Sequence, residues 1–240
     1  DPKGRTVIAG EKSALAIYDD GNWLVAGEVP PAPAVQFLDV GGVGETYWAV
    51  GAAAQAWMHS EGAWIGQAVT VTEASEPIGP GANFVAVAAV GNEVWIACEP
   101  GLKSPGLALR KIKGGWTSYP LPTAPRDIWV AGDKVDGGVV VAGGTANEFV
   151  ARFDGKKFVA ETDLKWKQGF TAIGGLDASQ VWIAGFKGQL RKSDPKVTTI
   201  PGAWQVVPIE APPGTPGPFP PPSDDLVGIA LHGADELAVI

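Results

Sequence analysis

Short apolar runs, five or six residues long and mostly closed by a small residue, punctuate this chain at intervals. They are Thr6-Val7-Ile8-Ala9-Gly10, Thr46-Tyr47-Trp48-Ala49-Val50-Gly51, Glu93-Val94-Trp95-Ile96-Ala97-Cys98, Gly138-Val139-Val140-Val141-Ala142-Gly143, Gln180-Val181-Trp182-Ile183-Ala184-Gly185 and Glu236-Leu237-Ala238-Val239-Ile240. Such runs are too short for helices and rich in β-branched and aromatic residues, so they predict strands. Another apolar run precedes each one after the first: 36–40, 83–87, 127–130, 170–173 and 226–230. Roughly 20 residues beyond each of the first five comes Gly-x-Trp: Gly21-Asn22-Trp23, Gly62-Ala63-Trp64, Gly114-Gly115-Trp116, a looser Gly155-Lys156-Lys157-Phe158, and Gly202-Ala203-Trp204. The aromatics are spaced by 41, 52, 42 and 46 residues.

Each repeat therefore reads strand, turn, strand, turn, strand, Gly-x-Trp, strand. Four short strands in about 45 residues, with glycine turns and no amphipathic helix, is the pattern of a propeller blade. The expected fold is an all-β β-propeller with four-stranded blades and about five blades in this chain. The approximate units are 1–35, 36–82, 83–125, 126–168 and 169–225, with a partial unit at 226–240. Small residues in the first strands, as in Val85-Ala86-Val87-Ala88-Ala89-Val90, suit the crowded zone near a propeller axis. Bulky Trp and Phe suit the wider gaps between blades.

The text of the repeat resembles bacterial propeller repeats of the form Asp-Val-Trp-Ala-Val-Gly followed by Gly, an apolar pair and Asp-Gly-x-x-Trp. The matching residues are Val181-Trp182-Ile183-Ala184-Gly185 with Gly188, Tyr47-Trp48-Ala49-Val50-Gly51, and Tyr18-Asp19-Asp20-Gly21-Asn22-Trp23. The pattern is also similar to Asp-box repeats and to photosystem-assembly-factor propellers, although no copy here carries Ser-x-Asp-x-Gly-x-Thr-Trp in full. The resemblance covers nearly the whole chain. It implies a fold and leaves the activity open, because propellers host many functions.

Two readings of closure stand. The last first-type strand could complete the opening repeat and give five closed blades, with 236–240 surplus. Alternatively the chain is part of a larger propeller. The apolar end Leu-Ala-Val-Ile, which would otherwise be an exposed sheet edge, favours the second. The segment 207–225 carries seven prolines between 212 and 222. It predicts a loop with polyproline II character, either a long connection or a docking segment. The shorter relative Glu28-Val29-Pro30-Pro31-Ala32-Pro33 in the equivalent place favours a connection.

Composition narrows the function classes. The chain is 45% hydrophobic and 18% charged, enough apolar content for a core. Its net charge of −8, with only 18 Lys and Arg, argues against nucleic acid and against anionic membrane surfaces. No apolar run approaches the ~20 residues of a membrane span. One cysteine, Cys98, excludes an internal disulfide and a Cys cluster, and the two histidines His59 and His232 make a His-based metal site improbable. No cofactor or metal is expected. The chain starts at Asp1 without a signal peptide and so reads as a mature form or a cut fragment.

The candidate binding residues lie on the third strands and outside the repeat. Tyr18, His59, Arg110, Arg152 and Arg191 fall at about the same distance before each turn. Arg110, Arg152 and Arg191 thus form a column holding three of the five arginines. One reading makes this a repeated site, in which Arg donates planar hydrogen bonds and Trp stacks on a sugar. The other has each side chain bonding turn carbonyls or pairing with a carboxylate such as Asp154 or Asp194, and this reading is preferred. Trp57 and Trp166 read as lying outside the repeat columns, which makes them better candidates for surface contacts. The Gly-x-Trp aromatics read as core first and as sugar platforms second. Asp19-Asp20-Gly21-Asn22 reads as a turn, since it lacks the alternating spacing of a calcium loop. Cys98 reads as a buried small residue.

There is no Gly-x-Ser-x-Gly, metal spacing or phosphate loop, and no nucleophile beside either histidine. The expectation is a non-catalytic interaction module, extracytoplasmic (periplasm or cell surface), with a protein partner. Its alternatives are a carbohydrate-binding, lectin-like propeller and, third, a glycoside hydrolase-like one.

Overall fold

A computed structural model describes residues 6–12, 14–19, 21–25, 36–74, 77–99, 101, 105–132, 138–144, 148–161, 169–194, 204–209, 225–231 and 237–239. The chain forms two compact units, Asp1–Ile128 and Trp129–Ile240. The first holds three sheets. Sheet I is β1 (Thr6–Ala9), β2 (Leu15–Asp19) and β3 (Asn22–Val25). Sheet II is β4 (Phe37–Val43), β5 (Thr46–Gly51), β6 (Gln55–Ser60) and β7 (Ala63–Gly66). A lone strand β8 (Val71–Ala74) precedes sheet III, which contains β9 (Asn83–Val90), β10 (Glu93–Glu99), β11 (Leu107–Ile112) and β12 (Gly115–Pro120). β8 pairs in parallel with β12 and gives the order β8-β12-β11-β10-β9. This fifth strand departs from the four-strand expectation. Its β-branched Val71-Thr72 lies in a connection, and it covers the β12 edge that would otherwise present unpaired backbone.

The second unit begins within β13 (Pro125–Val130), which with β14 (Val139–Gly143), β15 (Phe149–Phe153) and β16 (Phe158–Ala160) makes sheet IV. Sheet V is β17 (Phe170–Asp177), β18 (Gln180–Gly185), β19 (Gln189–Ser193) and β20 (Trp204–Val206), followed by the pair β21 (Ile229–Leu231) and β22 (Leu237–Val239). The strands run up and down in chain order within sheets I, II, IV and V.

The glycines explain the tightest turns. Glu61 and Gly62, between β6 and β7, have φ of 54° and 80°, and Lys113 and Gly114, between β11 and β12, have 47° and 90°. Two consecutive positive φ values are the type I′ geometry that matches the twist of a two-residue hairpin. This is why Gly-x-Trp recurs: glycine closes the turn and the aromatic enters the fourth strand.

Neighbouring sheets pack by one rule. Alternate residues of the second and third strands form a forward face, and the residues between them form a rear face. Val7, Leu15 and Ile17 of sheet I meet Tyr47, Ala49 and Trp64 of sheet II. Trp48, Val50 and Ala56 of sheet II meet Val94, Ile96, Leu109 and Trp116 of sheet III. In the second unit, Val140, Ala142 and Val150 of sheet IV meet Val181 and Ile183 of sheet V. Within the first unit the Trp48 and Trp116 rings cross edge to face, with centroids 6.0 Å apart, so a tryptophan does fill the gap between sheets.

Candidate functional site

The strand register sorts the predicted site residues into different columns. Opposite the second-strand positions Val7, Trp48, Trp95, Val140 and Trp182 stand Ile17, Met58, Arg110, Arg152 and Lys192. One step along, opposite Ile8, Ala49, Ile96, Val141 and Ile183, stand Ala16, Trp57, Leu109, Ala151 and Arg191. Tyr18 and His59 occupy a third column, opposite the fourth-strand aromatics Trp23 and Trp64. The single column read from sequence is therefore three columns. Arg110 and Arg152 share a forward-face position, whereas Arg191 lies one residue away, on the opposite face. Trp57 is corrected too, since it sits in a repeat column at the position Arg191 takes in sheet V. Trp166 lies outside the described residues, as do His232 and residues 210–224 of the proline-rich segment.

Arg110 and Arg152 are both engaged inside the protein. Arg110 donates from Nε and Nη2 to the two oxygens of Glu93, at 2.8 Å each, and its guanidinium lies 5.2 Å from the Trp95 ring centroid. Arg152 is buried and donates from Nε to Glu161 at 2.6 Å and from Nη1 to the Ala178 carbonyl at 2.8 Å. The other Glu161 oxygen accepts from the Trp204 indole N–H. The carboxylates chosen are Glu93 and Glu161, not the Asp154 and Asp194 suggested by proximity in sequence. Asp154 instead caps its own turn, accepting from the Lys156 and Lys157 amides, which hold its pKa below the usual range. Arg191 is half-buried, and desolvation lowers its pKa. Trp57 packs its ring on Gly66, where an added Cβ would lie 3.1 Å from it. Among the Gly-x-Trp aromatics, Trp64 and Trp116 are buried while Trp23 is 54% exposed beside Tyr18. Cys98 is fully buried, and burial pushes its thiol up to about 12.

Sequence reading missed a groove of about 690 Å³ in the first unit. Its rim is made by three turns, 43–46 of sheet II and 91–92 and 113–114 of sheet III, with Trp48 and Lys111 among the lining residues. The Lys111 ammonium lies 4.6 Å from the Trp48 ring centroid and 5.8 Å from that of Trp116. Lys113 adds a second cation on the rim. Desolvation lowers the Lys111 pKa. The signal was present in the sequence: Lys111 stands opposite Trp116 as His59 stands opposite Trp64.

Among the described residues, no group of three or more His, Cys, Asp or Glu is placed to hold a metal ion, and no helix is long and apolar enough to cross a membrane. Meandering antiparallel sheets packed forward face on rear face define a β-propeller fold. Solved structures share it. YCF48 from Cyanidioschyzon merolae is similar over 98% of this chain and 73% of its own, at 15% identity and a TM-score of 0.63. A chain of the mitotic checkpoint complex is similar over 82% of this chain and 61% of its own, at 8% identity and a TM-score of 0.63. The WD40 β-propeller domain of Doa1 is similar over 81% and 63%, at 12% identity and a TM-score of 0.60. At these identities the likeness is one of fold, and this chain spans about three fifths of the last two. No protein-family model matches the sequence, and no curated protein matches it.

Proposed function

We propose that this chain is a non-catalytic β-propeller module that binds another protein, built from repeats of the bacterial Asp-Val-Trp-Ala-Val-Gly kind and working in the periplasm or on a cell surface. The observation that carries the proposal is the groove of the first unit. It is walled by three hairpin turns, has a tryptophan in its lining, and has a volume within the range of ligand clefts. Hairpin turns held by rigid sheets are a usual place for binding residues. Cross-linking in native source material, followed by mass spectrometry, tests the reading. Cross-links from Lys111 or Lys113 to a second protein are expected, and a complete lack of such links in folded protein would count against it.

A carbohydrate-binding role is the second reading. It is favoured by Trp23, whose exposed indole lies beside Tyr18 with ring centroids 5.1 Å apart. A glycan array separates the two readings, because a sugar that binds Trp23 should be lost in Trp23→Ala.

A further inference from the structure

Five residues stand opposite the fourth-strand aromatic: Tyr18, His59, Lys111, Phe153 and Ser193. Three of them are accommodated by their own sheet, and the fourth, His59, packs on its own tryptophan while its Nδ1 stays buried without a hydrogen-bond partner among the described residues. Tyr18 packs on Trp23, His59 on Trp64 and Phe153 on Phe158, with centroids 5.1, 5.3 and 5.3 Å apart. Ser193 Oγ accepts from the Val181 amide at 2.9 Å and donates to the Ser179 carbonyl at 2.8 Å. Lys111 alone brings an aliphatic ammonium to this position. Its contacts are the faces of Trp48 and Trp116, which attract the cation but accept none of its three N–H bonds.

The charged groups lining the groove are Lys111, Lys113 and Glu93. Glu93 is already matched, since both its oxygens accept from Arg110. Glu45 also sits in the 43–46 turn at the rim, but the lining itself carries two lysines against the one carboxylate, Glu93, in a protein of net charge −8. A half-buried ammonium with no carboxylate beside it among the described residues is a poor end state by itself, because desolvated charges are normally paired. Its attraction for an anion is stronger there than in bulk water.

We propose that the groove takes a carboxylate of a peptide partner, with Lys111 as its counter-ion and Lys113 as an outer contact. The inference rests on the protein-binding reading and names the partner's chemistry. The carboxylate comes from an acidic side chain or from a chain's C-terminus.

Three short peptides distinguish these sources: Ac-Ala-Glu-Ala-NH2, Ac-Ala-Ala-Ala-OH and the neutral control Ac-Ala-Gln-Ala-NH2. Each is titrated into the full chain while the Lys111 side-chain and Trp48 indole NMR signals are followed. A carboxylate peptide should shift both signals saturably and the control should not; the peptide that saturates identifies the source. Lys111→Met, which keeps the stem packed on the indoles, should weaken binding at least about tenfold, while Lys111→Arg keeps it and Lys113→Gln costs about threefold. Carboxylate peptides that act no differently from the control, or a Lys111→Met protein that binds them equally, overturn the proposal. The two readings fail separately. A protein cross-linked equally to wild type and to Lys111→Met leaves the module reading and ends the carboxylate assignment. Saturable carboxylate shifts, with no protein captured from the source, do the reverse.

Discussion

Removing Glu161 is the sharpest test of how this fold uses its arginines. The Glu161 carboxylate has no exposed side-chain surface and Arg152 has 7%. Glu161→Ala deletes the acceptor of both the Arg152 Nε bond and the Trp204 indole bond. Arg152 keeps its bond to the Ala178 carbonyl and its place 5.6 Å from the Trp204 ring centroid, but a guanidinium stays buried with its counter-charge gone. Breaking a buried pair from one side costs about 3–5 kcal/mol. For a chain of this size that lowers Tm by roughly 6–20 °C. Glu93→Ala is the internal comparison. It breaks the Arg110 pair at the same sheet position, but the side chains there are 13% and 21% exposed, and the expected cost is about 1 kcal/mol. Urea melts of both variants, followed by tryptophan fluorescence, give the two numbers. The double variant Arg152→Met/Glu161→Leu should recover most of the loss, because apolar replacements of a buried pair are often tolerated. Equal costs for the two single variants, or a Glu161→Ala cost below about 1 kcal/mol, would refute the claim that burial locks Arg152 in place.

Three further outcomes are expected. Burial pushes the Asp39 carboxyl up to about 6 although it accepts the Val87 amide at 2.7 Å. Between the usual 3.8 and about 6 the folded state therefore binds a proton that the unfolded state has released. Stability falls as pH rises through that window, by up to about 3 kcal/mol. Asp39→Asn should raise Tm relative to wild type at pH 8 and lose that gain by pH 4, and a gain independent of pH would contradict the assignment. Cys98 should react with Ellman's reagent at pH 8 only as fast as the protein opens; rapid labelling of the native state would show an accessible thiol. Gly51→Ala should be far costlier than Gly62→Ala in chemical denaturation. A Cβ at Gly51 would lie 2.1 Å from the Gln36 carbonyl oxygen, whereas at Gly62, with φ of +80°, it meets nothing within 4 Å. The expected costs are about 3 kcal/mol or more and about 1 kcal/mol; similar values would undermine the packing argument.

The strands were legible because period and composition agree. Each second strand lies where its β-branched and aromatic run predicted, and at Gly21, Gly62 and Gly114 the Gly-x-Trp motif marks a hairpin turn with a positive-φ glycine. The face of each third-strand side chain was not legible from distance to the turn. Tyr18 and His59 stand five residues before their tryptophans, while Arg110 and Arg152 stand six residues before their aromatics. In a strand a one-residue slip moves a side chain to the other face. Anchoring on Trp48, Trp95 and Trp182 would have fixed the register, since these face Met58, Arg110 and Lys192 directly. Strand β8 escaped for a different reason. Four residues in a connection carry too little pattern, and its pairing with β12 is non-local.

The repeat thus specifies backbone and leaves each position free for a different use. The forward-face position on the third strand shows this. It is apolar as Ile17 and Met58, ion-paired as Arg110 and Arg152, and laid over its own sheet's indole as Lys192, 4.7 Å from the Trp182 centroid. A residue type that recurs in such a column need not share a role with its copies, and here Arg110 and Arg152 answer to different carboxylates, Glu93 and Glu161. The position opposite the fourth-strand aromatic carries the opposite lesson. Tyr18, Phe153 and Ser193 are each accommodated within one sheet, His59 packs on Trp64 with its Nδ1 buried and unbonded, and Lys111 brings an ammonium that among the described residues meets indole faces and no carboxylate. In a repeat fold the template must satisfy itself to fold at all, so the place to look for an outside partner is where one copy breaks the template without an internal remedy.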